Sequence, residues 1–109
     1  MTKEEIKLTP IGTSVKIRTT LYRSYEGQRY NREWRAIHFP SDKWKPGYLT
    51  GYAFLQDGEV SHYEDHTEWE PKRGPAIFAA RVKYSNRGRE YYALPEDVEI
   101  LYPLVEYRP

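Results

Sequence analysis

The fold class is decided by one stretch of the chain, Thr13-Ser14-Val15-Lys16-Ile17-Arg18-Thr19-Thr20-Leu21-Tyr22-Arg23. Its residues alternate between apolar and polar types, which is the period of a β-strand with one buried face. Other short runs with strand composition follow, among them Trp34 to Phe39, Leu49 to Leu55 and Ala76 to Ser85. Eight Pro and seven Gly residues separate the runs and favour turns between them. The sequence therefore predicts an all-β protein.

The size and composition of the chain indicate one domain without covalent cross-links. With 109 residues, it is long enough to bury about two-thirds of its unfolded surface. It has no cysteine, which excludes disulfides, thiolate metal ligands and cysteine nucleophiles. No run reaches the roughly 18–20 apolar residues that span a bilayer, and residues 1–10 lack the apolar centre of a signal peptide. We therefore expect a cytoplasmic protein without a membrane partner.

Two local signals predict a short helix and a hairpin. Thr2 and Glu5 have the spacing of a capping box, and the short apolar run behind them predicts at most one helical turn. Asp57-Gly58 has the composition of a two-residue hairpin turn. It predicts that the strand before it pairs with the next run, Glu59 to Asp65.

The end of the chain carries a resemblance to a known superfamily. The run Tyr91-Tyr92-Ala93-Leu94-Pro95-Glu96-Asp97-Val98-Glu99-Ile100-Leu101 resembles the close of an SH3-like small β-barrel. In that superfamily a strand ends in a Pro-containing 3₁₀ turn, and a short last strand closes the barrel. The opening around Gly12, Val15 and Ile17 is similar to the first strand of such barrels, and Pro46-Gly47 to Gly51 is similar to their middle hairpin.

The resemblance implies a barrel of five to six short antiparallel strands, with one 3₁₀ turn before the last strand. The barrel would cover residues 12–102, with an N-terminal extension at 1–11 and a C-terminal tail at 103–109. The chain lacks the Ala-Leu-Tyr-Asp-Tyr type of first strand found in signalling SH3 domains. Binding of proline-rich peptides is therefore not implied, and the fold does not settle the function.

One segment has residues that could support metal chemistry. On an unbroken strand, one face would carry His62, Glu64, His66, Glu68 and Glu70. Imidazole and carboxylate groups together can hold zinc or another divalent ion, which leaves a metal-dependent enzyme using His62 and His66 as one alternative. A solvated acidic face, with Tyr63 and Trp69 packed inward, explains the same pattern. We expect that second interpretation, with no metal, no cofactor and no enzymatic activity.

The charges are arranged in blocks although the net charge is only +1. Six basic residues lie between Lys16 and Arg35, interleaved with Tyr and Trp, and six acidic residues lie from Asp57 to Glu70 without Lys or Arg. Basic and acidic strands that pair across a sheet explain part of this pattern. That explanation applies least to Arg29 and Arg32, because they fall in a segment expected to be a loop, where function concentrates.

These residues predict a binding surface. Aromatic residues make up 16% of the chain, and Tyr, Trp and Arg supply most of the binding energy at protein interfaces. The predicted contact residues are Tyr25, Arg29, Tyr30, Arg32 and Trp44. We expect a non-catalytic protein that binds a protein partner, as a small regulator or inhibitor of a larger complex of the kind that phages and mobile elements encode. The alternative is nucleic-acid binding, with arginines on phosphates and rings on bases.

Overall fold

The computed structural model describes residues 1–27, 29–72 and 74–101. It contains one helix, α1 (Lys3–Leu8), and two 3₁₀ turns, Pro40–Asp42 and Pro95–Asp97. The strands are β1 (Ser14–Ile17), β2 (Thr19–Glu26), β3 (Tyr30–His38), β4 (Lys45–Leu55), β5 (Gly58–His62), β6 (Thr67–Pro71), β7 (Ile77–Lys83), β8 (Tyr91–Ala93) and β9 (Val98–Ile100). The prediction of an all-β protein is confirmed.

The strands form one open antiparallel sheet in the order β6-β5-β3-β2-β8-β7-β4-β1-β9. The predicted five-to-six-strand small barrel is wrong, because the described residues contain nine strands. Two segments account for much of the difference. The polar stretch 24–33, expected to be a loop or an irregular hairpin, supplies the end of β2 and the start of β3, and an additional exposed strand, β6, pairs with β5.

The predicted first strand is divided in two at Arg18. Its first half, β1, pairs with β4 and β9, whereas its second half, β2, pairs with β3 and β8. The backbone N–H of Arg18 donates to the carbonyl of Asp97 at 2.9 Å, and its guanidinium donates to the Asp97 carboxylate at 2.8 Å. The hydroxyl of Thr19 donates to the same buried carboxylate. Asp97 therefore fixes the corner from which the β2–β3 hairpin leaves the rest of the sheet.

Two clusters of apolar side chains form the core. The first joins α1 to the strands β1, β4, β7, β8 and β9, and its largest fully buried members are Ile6, Val15, Ile17, Leu49, Val82 and Val98. The second contains Leu21, Leu55 and Ala79, with Trp34 and Tyr92 packed against it. Because Leu21 lies in β2 and Trp34 in β3, the second cluster extends the core to the base of that hairpin.

The capping box and the final 3₁₀ turn agree with the sequence, but α1 has six residues and is longer than the one helical turn that was predicted. Thr2 and Glu5 form the predicted capping box. Gly51 has φ of 146° and marks a shift in the β4–β7 register, as a glycine inside a strand often does. The 3₁₀ turn Pro95–Asp97 precedes the last strand, as predicted. Position 102 and the predicted tail 103–109 lie outside the described residues.

The predicted hairpin at Asp57-Gly58 is wrong. Strand β4 pairs with β1 and β7, while β5 pairs with β3 and β6, so the two strands flanking this dipeptide do not pair with each other. The Asp57 carboxylate instead accepts a hydrogen bond from the backbone N–H of Trp34 at 3.1 Å. The backbone carbonyl of Asp57 accepts another hydrogen bond from the backbone N–H of Lys72 at 2.8 Å. Asp57 thus ties three segments together rather than closing a two-residue turn.

Across the described ranges, no helix is long and apolar enough to cross a membrane.

Candidate functional site

The strands β2, β3, β5 and β6 form the outer part of the sheet, and one of its faces collects aromatic and basic side chains. The register pairs Arg23 with Trp34, Tyr25 with Arg32, Tyr30 with Val60 and Val60 with Trp69. Residues that are directly opposite in neighbouring strands share a face. We call this the aromatic face, and it carries Arg23, Tyr25, Tyr30, Arg32, Trp34, Val60, His62 and Trp69.

The opposite face of the same four strands carries their glutamates, and we call it the acidic face. Glu26 pairs with Asn31, Asn31 with Glu59, and Glu59 with Glu70, so these residues form one row across the sheet. Glu33 is two residues from Asn31 in β3, and Glu68 is two residues from Glu70 in β6, so both lie on the same face as this row. All five glutamates of the four strands are therefore on one face, and the aromatic face of these strands has none.

Three rings and one guanidinium form the centre of the aromatic face. The rings of Tyr25 and Tyr30 meet edge to face with centroids 6.4 Å apart, and the rings of Tyr30 and His62 do so at 5.0 Å. The guanidinium carbon of Arg32 lies 5.4 Å from the Tyr25 centroid, a cation–π contact. With Val60 and Thr67, these residues line an open cavity of about 280 Å³. The cavity is shallow and holds side chains of a partner better than a whole small molecule.

Trp69 is directly opposite Val60 on the same face, and its position depends on the absence of a side chain at Gly58. A Cβ atom at Gly58 would lie 2.4 Å from the Trp69 Nε1 atom, so the indole occupies the space that another residue would fill. Trp69 remains 44% exposed, and Tyr63 is 54% exposed. The prediction that Tyr63 and Trp69 pack inward is therefore wrong. Trp69 lies in the edge strand β6 and Tyr63 in the turn before it, and both rings are in contact with solvent.

Arg23 and Trp34 connect the aromatic face to the second core cluster. The guanidinium carbon of Arg23 lies 4.8 Å from the Trp34 centroid. The Trp34 ring also meets Tyr92 edge to face at 5.3 Å. The Nε atoms of Arg23 and Arg32 and the Nε1 atom of Trp34 are buried and find no hydrogen-bond acceptor among the described residues. Unsatisfied buried donors are uncommon in folded proteins and call for an explanation.

The structure brings together only part of the predicted site. Tyr25, Tyr30 and Arg32 lie in contact on the aromatic face, and Arg29 lies at the same end, in the turn between β2 and β3. Trp44 is elsewhere, because its ring contacts the Lys16 ammonium at 5.1 Å and the Arg18 guanidinium at 5.2 Å. Tyr25 lies seven residues beyond Arg18, which corresponds to about 20 Å along a strand.

The segment with two histidines is not an unbroken strand. Strand β5 ends at His62 and β6 begins at Thr67, with a turn between them. The His62 Nδ1 atom lies 3.2 Å from the Thr67 hydroxyl, and the two ring nitrogens of His66 face Asp65 at 2.5 Å and Glu68 at 3.1 Å. Within residues 1–27, 29–72 and 74–101, no three His, Asp or Glu side chains stand together as metal ligands would. The turn removes the shared face on which the metal alternative depended.

Ion pairs hold two glutamates of the acidic face, Glu26 and Glu33. The Lys72 ammonium donates to the Glu33 carboxylate at 2.5 Å, and Arg35 contacts Glu26 at 2.6 Å and Glu33 at 3.4 Å. The hydrogen bond from Lys72 lowers the pKa of Glu33, and the same bond raises the pKa of Lys72. These contacts confirm that cross-strand pairing accounts for part of the blocky charge.

Sequence reasoning missed five residues of this face: Arg23, Trp34, Val60, His62 and Trp69. The sequence did hold one signal for them. Arg23 and Tyr25 are two residues apart, as are Val60 and His62, and residues at that spacing in a strand lie on the same face. This signal could not be used before the pairing of β3 with β5 was known, because that pairing skips β4 in the sequence.

The comparisons with known proteins leave the surface to be interpreted on its own geometry. No protein-family model, no curated protein and no solved structure matches this chain.

Proposed function

We propose that this protein is a non-catalytic binding protein whose contact surface for a protein partner is the aromatic face. The observation that carries the proposal is the separation of side-chain types between the two faces of the outer sheet. Rings and two arginines lie on one face, and all glutamates of the four strands lie on the other. A structural role for the rings would bury them, but Tyr25 is 55%, Tyr30 43% and Trp69 44% exposed.

The composition of the face is that of an interface centre. Tyr, Trp and Arg are enriched among the residues whose truncation costs most binding energy. Large rings give contact area with few rotatable bonds, so little conformational entropy is lost on binding. Edge-to-face packing among Tyr25, Tyr30 and His62 holds these rings in place before a partner arrives. A preorganised surface binds more tightly than one that must be ordered first.

Ring geometry favours a protein over a nucleic acid. Bases stack on open ring faces, but Arg32 already covers one face of Tyr25, and Arg23 covers one face of Trp34. Two further cations of the outer sheet, Arg35 and Lys72, are held by Glu33. These two ion pairs lower the positive charge that the outer sheet offers to phosphates, which dominate the affinity of nucleic-acid binding.

The role that we propose for the binding protein is regulation or inhibition of a larger complex. A chain of 109 residues with a preformed contact face can act by occupying a surface that its partner needs for another interaction. The flat four-stranded face has the form of a docking surface, and its shallow cavity suits an inserted side chain of the partner.

The proposal is tested by capture of a partner with matched surface variants. The wild-type protein, Tyr30→Ala and Tyr22→Ala are immobilised and exposed to nuclease-treated extract of the native host. Tyr22 pairs with Arg35 on the acidic face and is 42% exposed, so it matches Tyr30 in residue type and exposure. We expect a protein that is retained by the wild type and by Tyr22→Ala and is lost with Tyr30→Ala. Equal retention by both variants, or loss of the partner on nuclease treatment, contradicts the proposal.

A further inference from the structure

Two arginines on the aromatic face lie in a regular alternation with two rings. Arg23 is directly opposite Trp34, and Tyr25 is directly opposite Arg32, in successive pairs on the same face. Each guanidinium packs on the ring that it faces across the strands, at 4.8 Å and 5.4 Å from the ring centroid. The two arginines are therefore diagonal neighbours on strands β2 and β3, a relation that places them about 7–8 Å apart.

These two arginines have no carboxylate partner among the described residues, in contrast to others in the sheet. Arg18 contacts Asp97 at 2.8 Å, Arg35 contacts Glu26 at 2.6 Å and Arg81 contacts Glu90 at 2.6 Å. Arg23 and Arg32 make cation–π contacts, and the Nε atom of each is buried without an acceptor. The described part of the sheet thus supplies these guanidinium groups with rings and with no acceptor.

The N–H groups of a guanidinium lie in its own plane, so one that contacts a ring can still offer its two Nη groups to a carboxylate at its outer end. Guanidinium and carboxylate groups fit each other in a two-bond fork, and this pairing is stronger than a neutral hydrogen bond. The glutamates of the same strands all lie on the opposite face. The described strands therefore offer no carboxylate on this face, and the Nη ends of these two half-buried side chains are left for an acceptor from another molecule.

We propose that Arg23 and Arg32 bind two carboxylates on alternate residues of an extended acidic segment in the protein partner. This inference rests on the proposed function and adds the chemistry and spacing of the partner. Alternate residues of an extended chain are about 6.6 Å apart and point the same way. That spacing matches the separation of two diagonal residues in a sheet. The residue between the two acids points away from the face, so the proposed motif is acidic-any-acidic.

The spacing is tested with short synthetic peptides. The probe is an acetylated and amidated peptide of sequence Thr-Glu-Tyr-Glu-Thr, and the matched controls are Thr-Gln-Tyr-Gln-Thr and Thr-Glu-Glu-Tyr-Thr. Titrations are followed through the arginine Nε–H and tryptophan indole signals in nitrogen-15 NMR spectra. We expect the first peptide to shift the signals of Arg23, Arg32 and Trp34. The amide peptide should not shift them, and the peptide with adjacent acids should bind about tenfold more weakly because only one fork forms.

Two double variants of equal net charge test whether Arg23 and Arg32 bind the acidic peptide. Arg23→Gln/Arg32→Gln is compared with Arg35→Gln/Arg87→Gln, since Arg35 lies on the acidic face and Arg87 is exposed in the turn after β7. The first double variant should lose at least about tenfold in affinity for the acidic peptide. The second should bind as the wild type does, and dispersed NMR spectra verify that both are folded.

Three results would overturn this inference. They are failure of the wild type to bind the acidic peptide, equal binding of the acidic and amide peptides, and equal binding by the two double variants. A thymidine oligonucleotide that binds through Arg23 and Arg32 better than the acidic peptide does would show that phosphate is the ligand, and would also overturn it. A partner that is lost with Tyr30→Ala but retained by Arg23→Gln/Arg32→Gln would leave the proposed function standing while the acidic motif fails.

Discussion

Replacement of Gly58 by Ala tests how Trp69 is held on the aromatic face. Gly58 is buried in β5, and its φ lies outside the left-handed region, so Ala can adopt the backbone there. The added Cβ would lie 2.4 Å from Nε1 and 2.5 Å from Cε2 of Trp69, and 2.8 Å from the Glu70 carbonyl oxygen. Favourable carbon contacts need about 3.5–4.0 Å. The indole must therefore leave its position.

The expected cost follows from overpacking. Forcing one methyl group into a filled site destabilises a protein by about 1–3 kcal/mol. Because the new methyl group would contact both a ring and a backbone atom, we expect Gly58→Ala to cost about 2 kcal/mol, in the middle of that range. In a Trp69→Ala background the ring clash is absent, and only the approach to the Glu70 carbonyl remains. There the same substitution should cost less than about 1 kcal/mol, which gives a coupling of about 1 kcal/mol between the two sites.

The measurement is urea unfolding of the wild type, both single variants and the double variant, followed by far-ultraviolet circular dichroism. Equal costs of Gly58→Ala in the two backgrounds would refute the reasoning, because the indole would then not occupy the space above Gly58. The indole signal of Trp69 in the NMR spectrum gives an independent check, since Gly58→Ala should move it while leaving the indole signal of Trp44 unchanged.

Three further predictions concern stability. Burial raises the pKa of Tyr84 to about 12, and its hydroxyl has no hydrogen-bond partner within the described residues. Tyr84→Phe should therefore leave the urea midpoint unchanged or raise stability by up to about 1 kcal/mol, and a clear loss of stability would contradict this. The hydrogen bond from Lys72 lowers the pKa of Glu33, so this pair contributes its full stabilisation at pH values above 4.5, the ordinary pKa of the group, and loses it as the pH falls through the lowered pKa. In thermal melts, Lys72→Gln should therefore lose less stability than the wild type does between pH 5 and pH 3. An unchanged pH profile would argue against the pair. Glu59 and Glu70 are directly opposite each other on the acidic face, so Glu70→Gln should raise stability by less than about 1 kcal/mol at low salt, with no gain in concentrated salt.

The all-β class and much of the strand content could be predicted because they depend on local patterns. Alternation from Val15 to Tyr22 and the turn at Pro95 needed no knowledge of distant residues. The corner at Arg18 could not be predicted, since its partner Asp97 is 79 positions away in the chain. The segment from Ser24 to Glu33 looked like a loop because it is polar, but both of its halves pair along the hairpin.

The candidate site was predictable only where its residues are close in sequence. Tyr25, Tyr30 and Arg32 fall within one hairpin, and a two-strand register is enough to bring them together. Trp69 joins them only through the pairing of β5 with β3 and with β6. The prediction that Trp44 belongs to the same surface is wrong, because its ring packs against Lys16 of β1 and against Arg18 at the corner, both distant in sequence from Trp44.

The central claim is that the aromatic face, and not the acidic face behind it, binds the partner. The most direct measurement is titration calorimetry of the purified partner with Tyr30→Ala and Tyr22→Ala, two Tyr substitutions of similar exposure on opposite faces of one hairpin. A ring at the centre of an interface is worth about 2 kcal/mol or more, so Tyr30→Ala should weaken binding at least about 30-fold. Tyr22→Ala should stay within about threefold of the wild type. Equal losses for the two variants, or a greater loss for Tyr22→Ala, would contradict the account.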